Sequence, residues 1–283
     1  MTKELQNNKT RIRLVATDLD GTLLDSSMGL PAENKAALER CAQDGITIVV
    51  ATGRSLMTVP EAVRNIRGLK WLVCSNGAKI YDNVTGEQLY ARFLSAEAVA
   101  HVSELIRDAS IMKEVFWQGV AYTDKVSYEH SDSFGVPARS QDYIKRTRRP
   151  VDSIADFAFD HIHEIENINF IYGDTIQRLK ILNALSSSDL YTLTSSFSFN
   201  FEIGGIGVSK AVALEEICAQ LGVDASEVLA IGDNSNDLSM IEFAGIGVAM
   251  QDATHDVRQA ADTVTLANDD LGVAFAINTL CFS

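Results

Sequence analysis

Short apolar runs alternate with polar turns along the chain. Residues 12–17 are apolar and are broken by Asp18-Leu19-Asp20-Gly21-Thr22. Residues 31–44 place Ala37, Leu38, Cys41 and Ala42 at helical spacing, with Pro31 suited to a first turn and Gly45 to a stop. Residues 46–50 form a continuous β-branched run, as a strand covered on both faces requires, and lead into Ala51-Thr52-Gly53-Arg54. Residues 71–74 read as another strand, ending in Ser75-Asn76-Gly77. The same grammar returns late. A helical face over residues 210–221 is closed by Gly222, and a strand over 228–231 ends in Gly232-Asp233-Asn234-Ser235-Asn236-Asp237. A helix over 238–244, a strand over 246–249, an edge strand near 263–266 and a final helix over 271–280 follow. This alternation predicts a parallel sheet with right-handed crossovers.

The middle of the chain reads differently. It carries longer aromatic stretches, Val115-Phe116-Trp117 and Ile168-Asn169-Phe170-Ile171-Tyr172. Ser95 is placed to cap a helix whose apolar face is Ala98, Val102, Leu105 and Ile106. Alternation near residues 191–203 suggests antiparallel strands. The expected architecture is α/β: a doubly wound, mainly parallel, Rossmann-like core from residues 12–84 and 201–283, an inserted α+β cap domain over 85–200, and a polar tail over 1–11 that frays. There is no internal repeat and no low-complexity tract.

Composition narrows the partners. A length of 283 residues suits two domains. The net charge of −14 argues against nucleic acid or an anionic membrane as a partner, so an anionic ligand needs a local cation, lysine or helix N-terminus. No stretch is long and apolar enough to span a membrane. Cys41, Cys74, Cys218 and Cys281 form no CxxC pair and are expected to be reduced and buried in a cytoplasmic protein.

Every polar cluster named above follows a strand, and doubly wound sheets bind ligands beyond the carboxyl ends of their strands. Asp18, Asp20, Thr52, Asn76, Asp233 and Asp237 therefore converge on one crevice, and Lys210 opens a helix beside it. Carboxylates crowded in this way take up protons unless a cation lies among them, and oxygen ligands suit Mg²⁺. Lys210, the Thr52 hydroxyl and turn N–H groups are donors for phosphate oxygens. Of Asp18 and Asp20, one can attack phosphorus while the other acts as general acid and then base.

Asp18-Leu19-Asp20-Gly21-Thr22-Leu23-Leu24 resembles the first motif of the haloacid dehalogenase-like hydrolase superfamily, and Ala51-Thr52-Gly53-Arg54 its second. Lys210 in Gly207-Val208-Ser209-Lys210 resembles the third, and Gly232-Asp233-Asn234-Ser235-Asn236-Asp237 the fourth. With Ser75-Asn76-Gly77-Ala78 and Gly247-Val248-Ala249-Met250, the set resembles the Cof-type phosphatases, which carry a large α+β cap. The two most specific motifs would coincide by chance in about one chain in 10⁵ of this length.

The resemblance implies that Asp18 is a nucleophile forming an aspartyl-phosphate and that Asp20 is the acid and base. It implies Mg²⁺ held by Asp18, the Asp20 backbone carbonyl and Asp233, with Asp237 in support. Phosphate would meet the Leu19 backbone, Thr52, Gly53, Lys210 and Asn236, with Arg54 and Asn76 nearby. The implied activity is hydrolysis of small phosphomonoesters, such as sugar phosphates or related metabolites. A phosphosugar mutase and a non-catalytic phospho-ligand sensor remain alternatives, and oligomeric state is not readable. The chain departs from the pattern at Lys210-Ala211, at Gln251-Asp252-Ala253, where Asp252 adds negative charge, and in lacking a proline before the third motif.

Outside the motifs, Asp25, Asp82 and Asp224 read as turn or cap residues. His161 and His163 read as a surface pair, Lys145-Arg146-Thr147-Arg148-Arg149 as a solvated basic face with an anion-attracting patch as the alternative, and Phe116 with Trp117 as cap core rather than a stacking platform.

Overall fold

In the computed structural model, which describes residues 11–185 and 188–282, two sheets organise the chain. All but Arg11 of the tail expected over residues 1–11 lies outside the described residues. The strands begin with β1 (Leu14–Thr17), β2 (Thr47–Ala51), β3 (Leu69–Cys74), β4 (Lys79–Asp82) and β5 (Gln88–Ala91). They continue with β6 (Met112–Trp117), β7 (Val120–Asp124), β8 (Arg148–Val151), β9 (Ile165–Ile171), β10 (Thr192–Thr194) and β11 (Asn200–Gly204). The last are β12 (Val228–Gly232), β13 (Ile246–Ala249) and β14 (Thr263–Val264).

The core sheet has the order β14-β13-β12-β1-β2-β3-β4-β5. Its pairings are parallel from β14 through β3, and the final two are antiparallel. The central strands are apolar throughout because helices cover both faces. Ala32–Gln43 packs with Gly272–Cys281, and Lys210–Leu221 with Leu238–Phe243. Leu38, Cys41, Leu214, Ile217, Met240 and Ile277 carry those helices into the core. The doubly wound parallel core is thus present. Among the described residues no helix is long and apolar enough to cross a membrane. The cysteines are free thiols; Cys41, Cys74 and Cys218 are buried, whereas Cys281, at a helix end, is only half-buried.

The second sheet, β10-β11-β9-β6-β7-β8, is antiparallel except between β7 and β8. Side chains alternate across it. Val115, Ile168, Phe170, Phe201 and Ile203 join an apolar cluster with the helices Ala96–His101, Ser103–Arg107, Ile154–Asp160 and Thr175–Leu185. Glu114, Phe116, Asn169, Ile171, Asn200 and Glu202 form the opposite face, and all of these but Glu114 line a cavity shared with the core.

Two expected boundaries shift. Gln88–Ala91 pairs with β4 and so extends the core sheet past residue 84, while Asn200–Gly204 pairs with β9 and belongs to the cap sheet rather than to the core. Ser95 caps its helix as expected, accepting from the Ala98 N–H at 3.1 Å, but the expected single helix breaks at Val102 into two short ones.

A buried ion pair fastens the two units. Lys79 Nζ on β4 lies 3.0 Å from Glu166 Oε1 on β9. Ser75 Oγ donates to Glu166 Oε2 at 2.9 Å, and the Gly119 N–H donates to Oε1 at 2.7 Å. Glu166→Ala would leave the Lys79 ammonium buried without its partner, so a loss of about 3–5 kcal/mol is expected in urea denaturation. The double variant Glu166→Ala/Lys79→Met should recover part of that loss. A single-variant loss under about 1 kcal/mol would show that the contact does not hold the units together.

Candidate active site

Asp18 leaves β1 in an extended conformation, and the chain then turns tightly through Leu19–Leu23. Gly21 makes this possible with φ of +81°, and a Cβ there would lie 2.5 Å from Asp233 Oδ2. Thr22 Oγ1 closes the contact by donating to Asp233 Oδ1 at 2.8 Å. The first and fourth motifs, more than two hundred residues apart in sequence, are thereby locked side by side.

Asp237 organises the fourth motif. Its Oδ2 accepts from the N–H groups of Asp233 (2.9 Å) and Asn234 (3.1 Å), and its Oδ1 accepts from Lys210 Nζ at 2.5 Å. Lys210 is fully buried and also donates to Asp18 Oδ1 at 2.6 Å. It begins a helix capped by Ser209 Oγ, which accepts from the Val212 N–H at 3.2 Å.

Asp18, Asp233 and Asp237 each place one oxygen within 4.8 Å of the others. Burial, and then the Asp237 charge, pushes the Asp18 carboxyl well above the usual carboxylate range, although Lys210 opposes the shift. Burial and Asp237 push Asp233 up to about 7 against the Thr22 hydrogen bond. Burial disfavours the Lys210 ammonium, but Asp18 and Asp237 outweigh it and hold that group above an ordinary lysine. Three carboxylates facing one ammonium leave the site short of positive charge, and an all-oxygen donor set of this kind fits a hard divalent cation.

Two acidic side chains at the site are already engaged by basic partners. Asp237 joins the acidic group, yet both its oxygens already serve Lys210 and two N–H groups, which suits an orienting role. The Asp20 side chain lies outside that group, drawn off by a buried arginine: Arg54 Nε donates to Oδ2 at 2.8 Å and Nη2 to Oδ1 at 2.6 Å. Arg54 Nη1 is anchored on the Thr58 carbonyl at 2.9 Å. Burial works against the Arg54 charge, but Tyr143 and Asp20 outweigh it and raise its pKa.

Cap residues complete this arrangement. The Arg54 guanidinium lies 4.9 Å from the Tyr143 ring centre, and the Arg148 guanidinium lies over the same ring, also at 4.9 Å. Arg148 in turn grips Glu114 through two bonds of 2.7 and 2.8 Å. The basic run is therefore not uniformly solvated: Lys145, Arg146 and Arg149 are exposed, whereas Arg148 is buried to neutralise Glu114. Phe116 and Trp117, expected in the cap core, lie outside its apolar clusters: Phe116 is buried but lines the cavity, and Trp117 is half-buried and stacks on His161 at 4.0 Å.

Asn76, in the left-handed region at the tip of β3, accepts from Asn236 Nδ2 at 3.1 Å and donates to Glu202 Oε2 at 3.1 Å. Ser196, from the hairpin between β10 and β11, accepts from Asn236 Nδ2 at 3.0 Å and donates to Glu202 Oε2 at 2.5 Å. The Ser196 carbonyl accepts from Asn234 Nδ2 at 2.9 Å. Burial raises the Glu202 pKa against the hydrogen bonds from Ser196 and Asn76. The Asn236 amide, expected at phosphate, is thus engaged with Asn76 and the cap hairpin.

A cavity of about 510 Å³ lies between core and cap. Asp18, Asp20, Gly53, Arg54, Asp233 and Asn236 line it. Leu19, Thr52, Asn76, Lys210 and Asp237 are buried outside its lining, and Asp252 is part of that lining. Tyr143, Ser196 and Glu202 went unrecognised in the sequence; an acidic residue inside the apolar run Phe201-Glu202-Ile203 was the available signal.

Known proteins share this chain's sequence pattern and fold. A profile of the haloacid dehalogenase-like hydrolases matches residues 15–277. Phosphatase YwpJ of Bacillus subtilis is 32% identical, covering 95% of this chain and 100% of that protein. The 5-amino-6-(5-phospho-D-ribitylamino)uracil phosphatase YcsE of the same organism is 29% identical, covering 96% of this chain and 97% of that protein. A solved haloacid dehalogenase-like hydrolase from B. subtilis superposes with a TM-score of 0.81 at 29% identity, covering 94% of this chain and 99% of that one. The match runs through both core segments and the inserted cap, so the chain belongs to the haloacid dehalogenase-like hydrolase superfamily, as a phosphoric monoester hydrolase of the Cof type.

Proposed function

We propose that the protein is a Mg²⁺-dependent phosphatase of the cytoplasm that hydrolyses small phosphomonoesters, sugar phosphates or related metabolites, through an aspartyl-phosphate on Asp18. The observation that carries this reading is the Lys210 ammonium seated between Asp18 and Asp237, with Asp233 alongside. Related proteins support the substrate class: besides YcsE, a Klebsiella pneumoniae protein 27% identical over 85% of this chain is an HMP-PP phosphatase.

In this reading Asp18 and Asp233 would hold the cation with the Asp20 backbone carbonyl, and Asp237 would orient them. Mg²⁺, when bound, neutralises charge on the carboxylates and the phosphoryl oxygens. Leu19 and Gly53 N–H groups, Thr52 and Lys210 hold the phosphoryl oxygens, while Asn236 ties the cap hairpin to the site. An Asp18 oxygen bonds to phosphorus as the ester P–O bond breaks, and Asp20 passes a proton to the departing alcohol. Asp20 then takes a proton from water, whose oxygen bonds to phosphorus and frees Asp18. Arg54 positions Asp20, Asn76 positions Asn236, and the cap excludes bulk water. Phosphate release from a panel of phosphorylated metabolites, with Mg²⁺ and with chelator, tests the reading; isomerised sugar phosphate in place of free phosphate would overturn it.

Metal binding should also stabilise the fold in a pH-dependent way. With its folded pKa raised to about 7, Asp233 contributes stability that is full below the unfolded carboxylate range and lost as pH rises through about 7. A bound cation removes that loss. Mg²⁺ at about 100 times its Kd should add about 2.7 kcal/mol, read as a rise in melting temperature that is larger at pH 8 than at pH 6. Equal increments at both pH values would contradict the acidic cluster as the metal site.

A further inference from the structure

The cap wall of the cavity combines mutually bonded polar groups with an open aromatic face. Asn200 Oδ1 accepts from the N–H groups of Ser196 (3.3 Å) and Phe197 (3.0 Å) and from Ser195 Oγ (3.2 Å). Asn200 Nδ2 donates to Asn169 Oδ1 at 3.1 Å, and Asn169 Nδ2 donates to Glu114 Oε2 at 3.0 Å. Glu114 is already held by Arg148, and Glu202 by Ser196 and Asn76. These bonds fix the orientation of the polar side chains on this wall.

Phe197 presents the opposite chemistry. It is 40% exposed, lines the cavity and stacks on Phe199 with ring centres 5.3 Å apart and planes 12° from parallel. Among the described residues, Phe197 and Met28 are the exposed large apolar side chains that line this cavity. Val136, Ile144 and Ile171 add an apolar patch in the same lining. The hairpin carrying Phe197 is tied to the catalytic turn through Ser196, so the ring is held in register with Asp18. Charge selects as well. Six carboxylates line the cavity, and its two arginines, Arg54 and Arg148, are each already paired.

We propose that Phe197 is a specificity-determining residue and that the preferred substrate is the phosphate monoester of an alcohol bearing an uncharged planar ring, which extends the Phe197–Phe199 stack. This inference rests on the phosphatase reading and specifies its leaving group. The test compares phosphate release from benzyl phosphate and glycerol 3-phosphate, together with calorimetric binding of benzylphosphonate and methylphosphonate, in wild type, Phe197→Ala and Phe197→Leu, all with Mg²⁺.

The expected wild-type kcat/KM ratio favours benzyl phosphate by at least about tenfold, and Phe197→Ala lowers that ratio about fivefold, with Phe197→Leu between because it keeps apolar area but no ring. The preference of benzylphosphonate over methylphosphonate should fall in parallel. A ratio unchanged by both substitutions, or a wild-type preference for glycerol 3-phosphate, overturns the inference. Hydrolysis of neither ester overturns the phosphatase reading instead, and the phosphonate pair then decides the aromatic site by itself.

Discussion

Asp18→Asn is expected to lower kcat on any phosphomonoester by about 10⁴-fold or more, as loss of a covalent nucleophile does in other hydrolases. The fold should survive. The asparagine amide would keep an oxygen for the Lys210 ammonium, which now lies 2.6 Å from Asp18 Oδ1. One of three crowded acids would also lose its charge, and burial and Asp237 already disfavour that charge. The metal-free variant should therefore melt at or above the wild-type temperature, while responding less to Mg²⁺. Circular dichroism establishes folding and a phosphate-release assay measures turnover. Turnover within about tenfold of wild type in a folded preparation would remove Asp18 from the nucleophile role.

Lys210→Met is expected to have the largest effect on stability. The ammonium is fully buried and bonded to Asp18 and Asp237, so its loss leaves two buried carboxylates without a countercharge. Removal of one partner from a buried pair costs about 3–5 kcal/mol. The loss should be smaller at pH 6 than at pH 8, since Asp233, pushed up to about 7 beside the pair, takes up a proton at the lower pH and relieves the missing countercharge. Mg²⁺ should restore part of it. Turnover should fall at least about 100-fold, the scale of losing one donor to a developing charge. Urea denaturation at both pH values measures the stability change; a loss under about 1 kcal/mol, or one independent of pH, would contradict the electrostatic account.

The core was legible in the sequence because a strand covered on both faces must be apolar throughout. Residues 46–50 and 228–231 therefore stood out, and each marked where a polar cluster would emerge. The antiparallel strands β4 and β5 were not legible. The chain reverses at Asn76 and Gly77, both with positive φ, and β5 is an edge strand of half-buried, mixed residues without an apolar run.

The motif turns were legible for a related reason: tight turns and oxygen donors must sit at fixed short spacings. Contacts between cap and core carry no such pattern. Tyr143 reaches Arg54 from a helix remote in sequence, and the buried member of the basic run, Arg148, is chosen by Glu114 on another strand. Asn236 illustrates the same limit. Its motif position suggested a phosphate donor, while its amide is bonded to Asn76 and to a cap serine that no local pattern singles out. Motif reading marked the turns that come together; tertiary packing decided how the cap is seated over them.

The central claim is covalent transfer to Asp18, and borohydride trapping tests it most directly. Protein mixed with Mg²⁺ and a turning-over phosphomonoester, then quenched into borohydride, should yield a peptide in which residue 18 has been reduced to homoserine, because hydride attacks only the acyl phosphate. The signal should require substrate and disappear in Asp18→Asn. Sustained phosphate release with an unmodified residue 18, or with the reduced residue at another carboxylate, would contradict the account.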